Sequence, residues 1–121
     1  MITAKTIRTF KDLRVWQEAV ELVKEVYGLC AALPRDELFG LGAQLKRAAI
    51  SVPSNIAEGH SRNHRGEYRQ ATFVALGSLA EVETQLLIGR DLGLFADDRL
   101  AAALARVDRL RGMLVTLGRR L

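Results

Sequence analysis

The sequence predicts an all-α fold, an antiparallel up-down-up-down four-helix bundle. Three observations carry this. Apolar residues recur at helical spacing along nearly the whole chain, and no stretch shows the strict alternation of a strand. Breaks fall at only three places, near Pro34, Gly59 and Gly93, and the links there are short. Alanine and leucine are abundant while proline occurs twice in 121 residues, a composition that favours helix. Short links between long helices favour antiparallel neighbours. The length fits one domain, residues 1–121.

Residues Met1 to Lys11 read as a loose N-terminal arm anchored by Phe10. Asp12 is a candidate N-cap for a first helix reaching about Leu33. Trp16, Val20, Val23, Tyr27 and Cys30 follow at spacings of four and three, the pattern of a bundle seam. Pro34 stops this helix, and Pro34-Arg35-Asp36-Glu37 reads as a turn.

The second helix, Leu41 to Glu58, carries Leu41, Leu45, Ala48, Ala49, Val52 and Ile56 on one face. Its sorting continues past Pro53, so the helix is expected to run through that residue with a bend. A mid-helix proline removes one backbone bond and costs about 3 kcal/mol. Gly59 reads as the glycine just past its end. The link His60 to Arg65 is polar and basic, and Asn63 is a candidate cap for the third helix, which runs to about Leu92.

Tyr68, Thr72, Ala75, Leu79, Val82 and Leu86 form the third seam. Phe73, Val74, Leu76, Ala80 and Leu87 occupy the other faces of that helix, and an apolar circumference predicts burial on more than one side. A subunit interface, hence a homo-oligomer, follows. Gly93 closes the third helix. The fourth carries Leu100, Ala103, Leu104, Val107, Leu110, Leu114 and Leu117 on one face.

No continuous apolar run reaches the roughly 18 residues of a membrane span, and no signal-peptide pattern opens the chain. A single cysteine, Cys30, fits a reducing compartment, so the expected location is cytoplasmic, with no membrane partner. Formal net charge is +4 and pI about 9.7. Ala96 to Leu121 carries six arginines against three aspartates, which puts much of the basic excess on the last helix.

Three motifs resemble a known family. They are Phe10-Lys11-Asp12-Leu13-Arg14-Val15-Trp16-Gln17, then Gln44-Leu45-Lys46-Arg47-Ala48-Ala49 with Ser51-Val52-Pro53-Ser54-Asn55-Ile56-Ala57-Glu58-Gly59, and Gly77-Ser78-Leu79-Ala80-Glu81-Val82-Glu83-Thr84-Gln85-Leu86. In this order and spacing they resemble the four-helix-bundle proteins encoded in intervening sequences of bacterial 23S ribosomal RNA genes. The likeness spans about Phe10 to Leu117. That family is similar to the accessory protein of diversity-generating retroelements, a basic homopentamer that binds nucleic acid and a reverse transcriptase. The resemblance therefore implies a pentamer, with RNA or DNA and a reverse transcriptase as partners, and no enzymatic activity.

On the wheel Arg99, Arg106, Arg109 and Arg120 share one side of the fourth helix, beside its apolar stripe. With Arg62 and Arg65 of the link they are the candidate nucleic-acid-binding residues, because the guanidinium fork suits phosphate. Salt bridges to Glu18, Glu21 or Asp108 are the plainer reading. Aromatic residues are assigned to core seams, so contact is expected through backbone phosphates with little sequence preference.

Arg47, Ser51, Ser54, Asn55 and Glu58 share a second face of helix two. They read as a structural polar seam that answers the backbone freed by Pro53 and pairs with Ser78, Glu81 and Gln85. His60 and His64 lack a third ligand, no nucleophile–base pair or phosphate loop occurs, and no cofactor or metal is expected. Two functions follow: a homo-oligomeric nucleic-acid-binding accessory factor, or an oligomeric protein-interaction scaffold that touches no nucleic acid.

Overall fold

The computed structural model describes residues 6–121. It is all-helical, a four-helix bundle with no strand among the described residues. The four long helices are α1 (Arg14–Cys30), α2 (Ala43–Ser61), α3 (Arg65–Asp91) and α4 (Asp97–Arg120). Each packs on the next, and α1 packs on α4, which closes the ring. Contacts run antiparallel throughout. Ser51 meets Ser78 while Gly59 meets Ala71. Phe73 lies by Gly118 while Glu83 reaches Arg111. Glu18 and Glu25 reach Arg106 while Gly28 receives Arg99.

The arm expected over Met1 to Lys11 lies partly outside the described residues. Its described end is a capped turn. Phe10–Asp12 forms a 3-10 turn in which Thr9 caps the Lys11 amide and the Asp12 carboxylate accepts from the Thr9 amide, a reciprocal capping box. Asp12 therefore belongs to this turn, and Leu13 is the N-cap of α1. The Phe10 ring sits edge-on to Trp16, with centroids 5.2 Å apart.

The seam of α1 lies one residue earlier than the spacing suggests. Val15, Ala19, Leu22, Val26, Leu29 and Cys30 are buried, whereas Trp16, Val20 and Val23 are half-buried and Tyr27 is exposed. Both rows carry the same spacing. The buried row holds no aromatic ring, and the bulkier Trp16 and Tyr27 lie on its flank, where Tyr27 packs under the Lys46 ammonium.

From Pro34 a short helical turn, Arg35–Glu37, leads through a π-helical turn, Leu38–Gly42, into α2. Helix α2 continues through Pro53, which is itself buried, as are Leu45, Ala48, Ala49, Val52 and Ile56. Gly59 is not past the end of the helix. It is buried inside the last turns, where it faces Ala71 and Tyr68 of α3, and the helix reaches Ser61. Asn63, at φ 54°, makes the reversal, and His64 rather than Asn63 caps α3 by accepting from the Glu67 amide.

The expected core rows of α3 and α4 are found. Thr72, Ala75, Leu79, Val82 and Leu86 are buried on one, and Leu100, Ala103, Val107, Leu110 and Leu114 on the other. Gly93, at φ 70°, ends α3 in a Schellman arrangement, with its own amide bonded to Arg90 and that of Leu94 bonded to Gly89. Phe95 then folds back over Gly89, where any β-carbon would collide with its ring.

Taken by length and composition alone, α3 is long and apolar enough to cross a membrane. Glu81 and Glu83 interrupt the run, so continuity of apolar residues does not show it. Core helices pass the same test, and a third of its most apolar stretch is buried against the bundle. Phe73, Val74 and Ile88 of this helix are exposed, as is Leu92 just past its end.

Candidate functional site

The predicted arginines do share one side of α4, and that side faces α1. A flank beside an apolar stripe is where a helix meets its neighbour, so several of these cations are engaged inside the bundle. Arg106 lies between Glu18 and Glu25, which stand two turns apart on α1 and both accept from its guanidinium. Its side chain is only 22% exposed. Burial works against its charge, but hydrogen bonds and charge from Glu25 and Glu18 outweigh that and hold its pKa above the ordinary arginine value. Arg106 is a structural residue.

Arg99 donates to the Gly28 carbonyl at 3.2 Å, near the C-terminal end of α1. Arg65 reaches across to the end of α4, where it donates to the carbonyls of Arg120 and Leu121, the favourable place for a cation on a helix dipole. Arg62 pairs with Glu58 at 2.8 Å and lies 3.8 Å from Glu67.

Arg109 and Arg120 are different. Together with Arg14 they line a groove of about 730 Å³ between α1 and α4, over Val15, Gly112, Met113, Thr116 and Leu117. No ion pair engages any of these three arginines among the described residues. Glu18 lies at the groove's edge, but Arg106 holds it. On the other flank of α4, Arg119 and Arg69 border a notch of about 160 Å³ lined by Phe73, Leu76, Val115 and Gly118. The Arg69 guanidinium lies over the Phe73 ring, 5.2 Å from its centroid. The C-terminal half of α4 is thus basic on both sides.

Arg14, Arg69 and Arg119 escaped the sequence reading, yet Arg14 was within reach. An antiparallel bundle brings the start of α1 beside the end of α4, so Arg14 belongs with Arg109 and Arg120. The assignment of the aromatic residues to core seams is overturned as well, for Phe73, Tyr27 and Phe39 are all exposed. Tyr27 and Phe73 sit beside core rows, where helical spacing alone does not separate a second seam from a surface, and Phe39 lies in the π-helical turn before α2.

The polar seam of α2 is shorter than expected. Ser51 and Ser78 hydroxyls meet at 2.8 Å, and the Asn55 amide donates to the Ser51 hydroxyl at 3.0 Å and its carbonyl at 2.8 Å. Arg47 and Ser54 are exposed, and Glu58 is exposed in its pair with Arg62. The Asn55 bond goes to Ser51 and not to the Ala49 carbonyl four residues before Pro53, so the seam ties α2 to α3 rather than repairing the proline. Glu81 is exposed, and Gln85 has a carbonyl oxygen shielded from solvent with no hydrogen-bond partner among the described residues.

Neither histidine stands in a ligand cluster. His60 packs edge-on to Tyr68 and His64 caps α3. No group of three or more His, Cys, Asp or Glu side chains suited to a metal occurs among the described residues. Cys30 is buried and donates weakly to the Gly42 carbonyl, and burial pushes its thiol above the ordinary value despite the opposing charge of Lys46.

Residues 11–116 match the family model of the 23S rRNA-intervening sequence protein. The chain belongs to that family. Among solved structures, the chain is similar to a protein of unknown function of the S23 ribosomal protein family from Bacteroides thetaiotaomicron. The TM-score is 0.79 at 17% identity, over 86% of this chain and 97% of the other. Identity at that level shows the shared fold alone. No curated protein matches the chain.

Proposed function

We propose that this family member is a non-enzymatic, homo-oligomeric bundle, a pentamer by the resemblance of its motifs, that binds the phosphates of RNA or DNA. The observation that carries the reading is the groove in which Arg14, Arg109 and Arg120 stand over an apolar floor without ion pairs. Guanidinium groups held this way are available to phosphate oxygens, and the fork geometry favours paired bonds to them. Arg69 and Arg119 extend the basic surface across α4.

Self-association is supported by the outward side of α3. Val74 and Ile88 are exposed there, as is Leu92 just past its end at 62%, and Gly77, Ala80 and Thr84 give the surface small side chains, with the exposed Glu81 among them. A second copy of the chain is the occupant proposed for it. Ring assembly multiplies the +4 charge of each chain and so strengthens the field that draws in a polyanion.

The test joins two measurements on purified protein. Light scattering is expected to return a multiple of 13.4 kDa, and gel shifts at about 100 mM salt are expected to show binding of RNA or DNA. A monomer mass would remove the oligomer, and no shift of either polymer would remove phosphate binding.

A further inference from the structure

The notch between α3 and α4 has features that phosphate contact does not use. Its most prominent member is Phe73, a full aromatic ring left 46% exposed on a flank that otherwise packs. Ordinary burial of a phenylalanine against α4 is prevented by composition. The facing residue is Gly118, and a β-carbon there would lie 3.8 Å from the Phe73 ring edge. Any longer side chain would extend over the ring and close the notch. Leu76 and Val115 make the remaining wall apolar. The space, about 160 Å³, is several times the ~30 Å³ that one water molecule occupies in the liquid.

The charges around it are of one sign. Arg69 stands over the ring at 5.2 Å, and Arg119 borders the opposite wall. No ion pair engages either of them among the described residues. Arg119 also adjoins Arg120, which faces the groove on the other flank of α4. A flat apolar surface, a planar cation above it and a second cation at the rim together match a flat aromatic ring attached to a phosphate.

We propose that Phe73, Arg69 and Arg119 form a stacking site for one unpaired base, so that the protein prefers single-stranded RNA or DNA to duplex. The proposal rests on the phosphate-binding reading above. Bases within a duplex are stacked on one another and cannot enter a notch on a protein surface, whereas a splayed single-stranded base stacks on aromatic rings and on arginine planes. Every base has a π face, so the site selects for strandedness and not for sequence. Arg69 shifts from the Phe73 ring onto the base or its phosphate when the ligand enters.

The test compares an oligothymidylate of about 16 nucleotides with a duplex of the same length, at one salt concentration, for the wild type and two variants. Phe73→Leu keeps an apolar side chain but removes the flat face, and Phe73→Trp keeps the face. Far-UV circular dichroism confirms that both variants are folded. The expected result is that F73L weakens single-strand binding by roughly 5- to 150-fold, with duplex binding and the salt dependence unchanged, while F73W binds the single strand at least as well as wild type. Single-strand binding by F73L equal to wild type would overturn the stacking site and leave the phosphate reading standing. Equal loss on single strand and duplex, or a reduced salt slope, would also overturn it, since the change would then act through the arginines. A wild type that binds neither polymer removes phosphate binding and the stacking site with it.

Discussion

Gly59 of α2 and Ala71 of α3 meet so closely that a β-carbon on Gly59 would lie 2.6 Å from the Ala71 methyl and 3.3 Å from the backbone of Tyr68. The two helices are drawn together at this end by the missing side chain and, two turns away, by the Ser51–Ser78 hydroxyl pair.

Gly59→Ala is therefore expected to destabilise the protein, although alanine is the better helix former. The propensity gain is at most about 1 kcal/mol. Overpacking against a backbone that cannot yield costs about 1–3 kcal/mol. Urea denaturation at fixed protein concentration should show a lower midpoint with an unchanged slope. A raised midpoint would mean that α2 and α3 separate without cost.

Arg106→Met is expected to lose about 1–3 kcal/mol, between the values for exposed and fully buried pairs, because Glu18 and Glu25 are left facing each other without a counter-charge. Adding Glu18→Gln and Glu25→Gln should recover most of the loss. If the single variant melts like wild type, the triad is a surface contact only. Arg106→Glu would set a third carboxylate among two, so it makes a poor probe of ligand binding.

Arg109→Glu with Arg120→Glu is the better probe. Neither side chain holds a carboxylate of the bundle, so the fold and oligomer mass should survive while binding of RNA and DNA drops sharply. Each phosphate contact removed should flatten the plot of log affinity against log salt by about 0.7–0.9. Wild-type affinity in this variant, with an unchanged slope, would place the binding surface elsewhere.

Alkaline pH should weaken the fold. Cys30 and Tyr68 both have pKa values raised by burial, from ordinary values of 9.0 and 10.0. The unfolded chain releases these protons first. Their contribution to stability is thus whole below about pH 9 and is lost as pH rises through the higher folded values. Denaturation midpoints at pH 7 and pH 10 should differ, and Cys30→Ala should reduce the difference. A flat profile from pH 7 to 10 would contradict the Cys30 assignment, and Tyr68 acts only above about pH 10.

The bundle itself was legible because α2 and α4 repeat one clean apolar row each and the row of α3 is long, and a long row sets an inward face without further information. In α1 two rows with the same spacing compete, and the spacing does not decide between Leu22 and Val23. Gly59 and His64 show a related limit. A glycine near a loop reads as a helix end, and its second use, letting two helices approach, depends on a partner that the local sequence does not name. For the arginines the wheel located the side of α4 correctly but could not see that α1 lies against it, so Arg106 and Arg109, three residues apart, looked alike. The visible difference is Glu18 and Glu25, one heptad apart on α1, a pair of acids spaced to grip a single cation.

The short reversal at Asn63 bears on the order of events in folding. Gly59 and Ala71 are close neighbours along the chain as well as in space, and Ser51 and Ser78 are 27 residues apart, while Arg106 is 81 and 88 residues from its two acids. Closing a short loop costs less chain entropy than closing a long one, so the α2–α3 hairpin is the natural nucleus on which α1 and α4 later dock. Changes at Gly59 should then slow refolding, whereas changes at Arg106 should leave refolding nearly untouched and hasten unfolding.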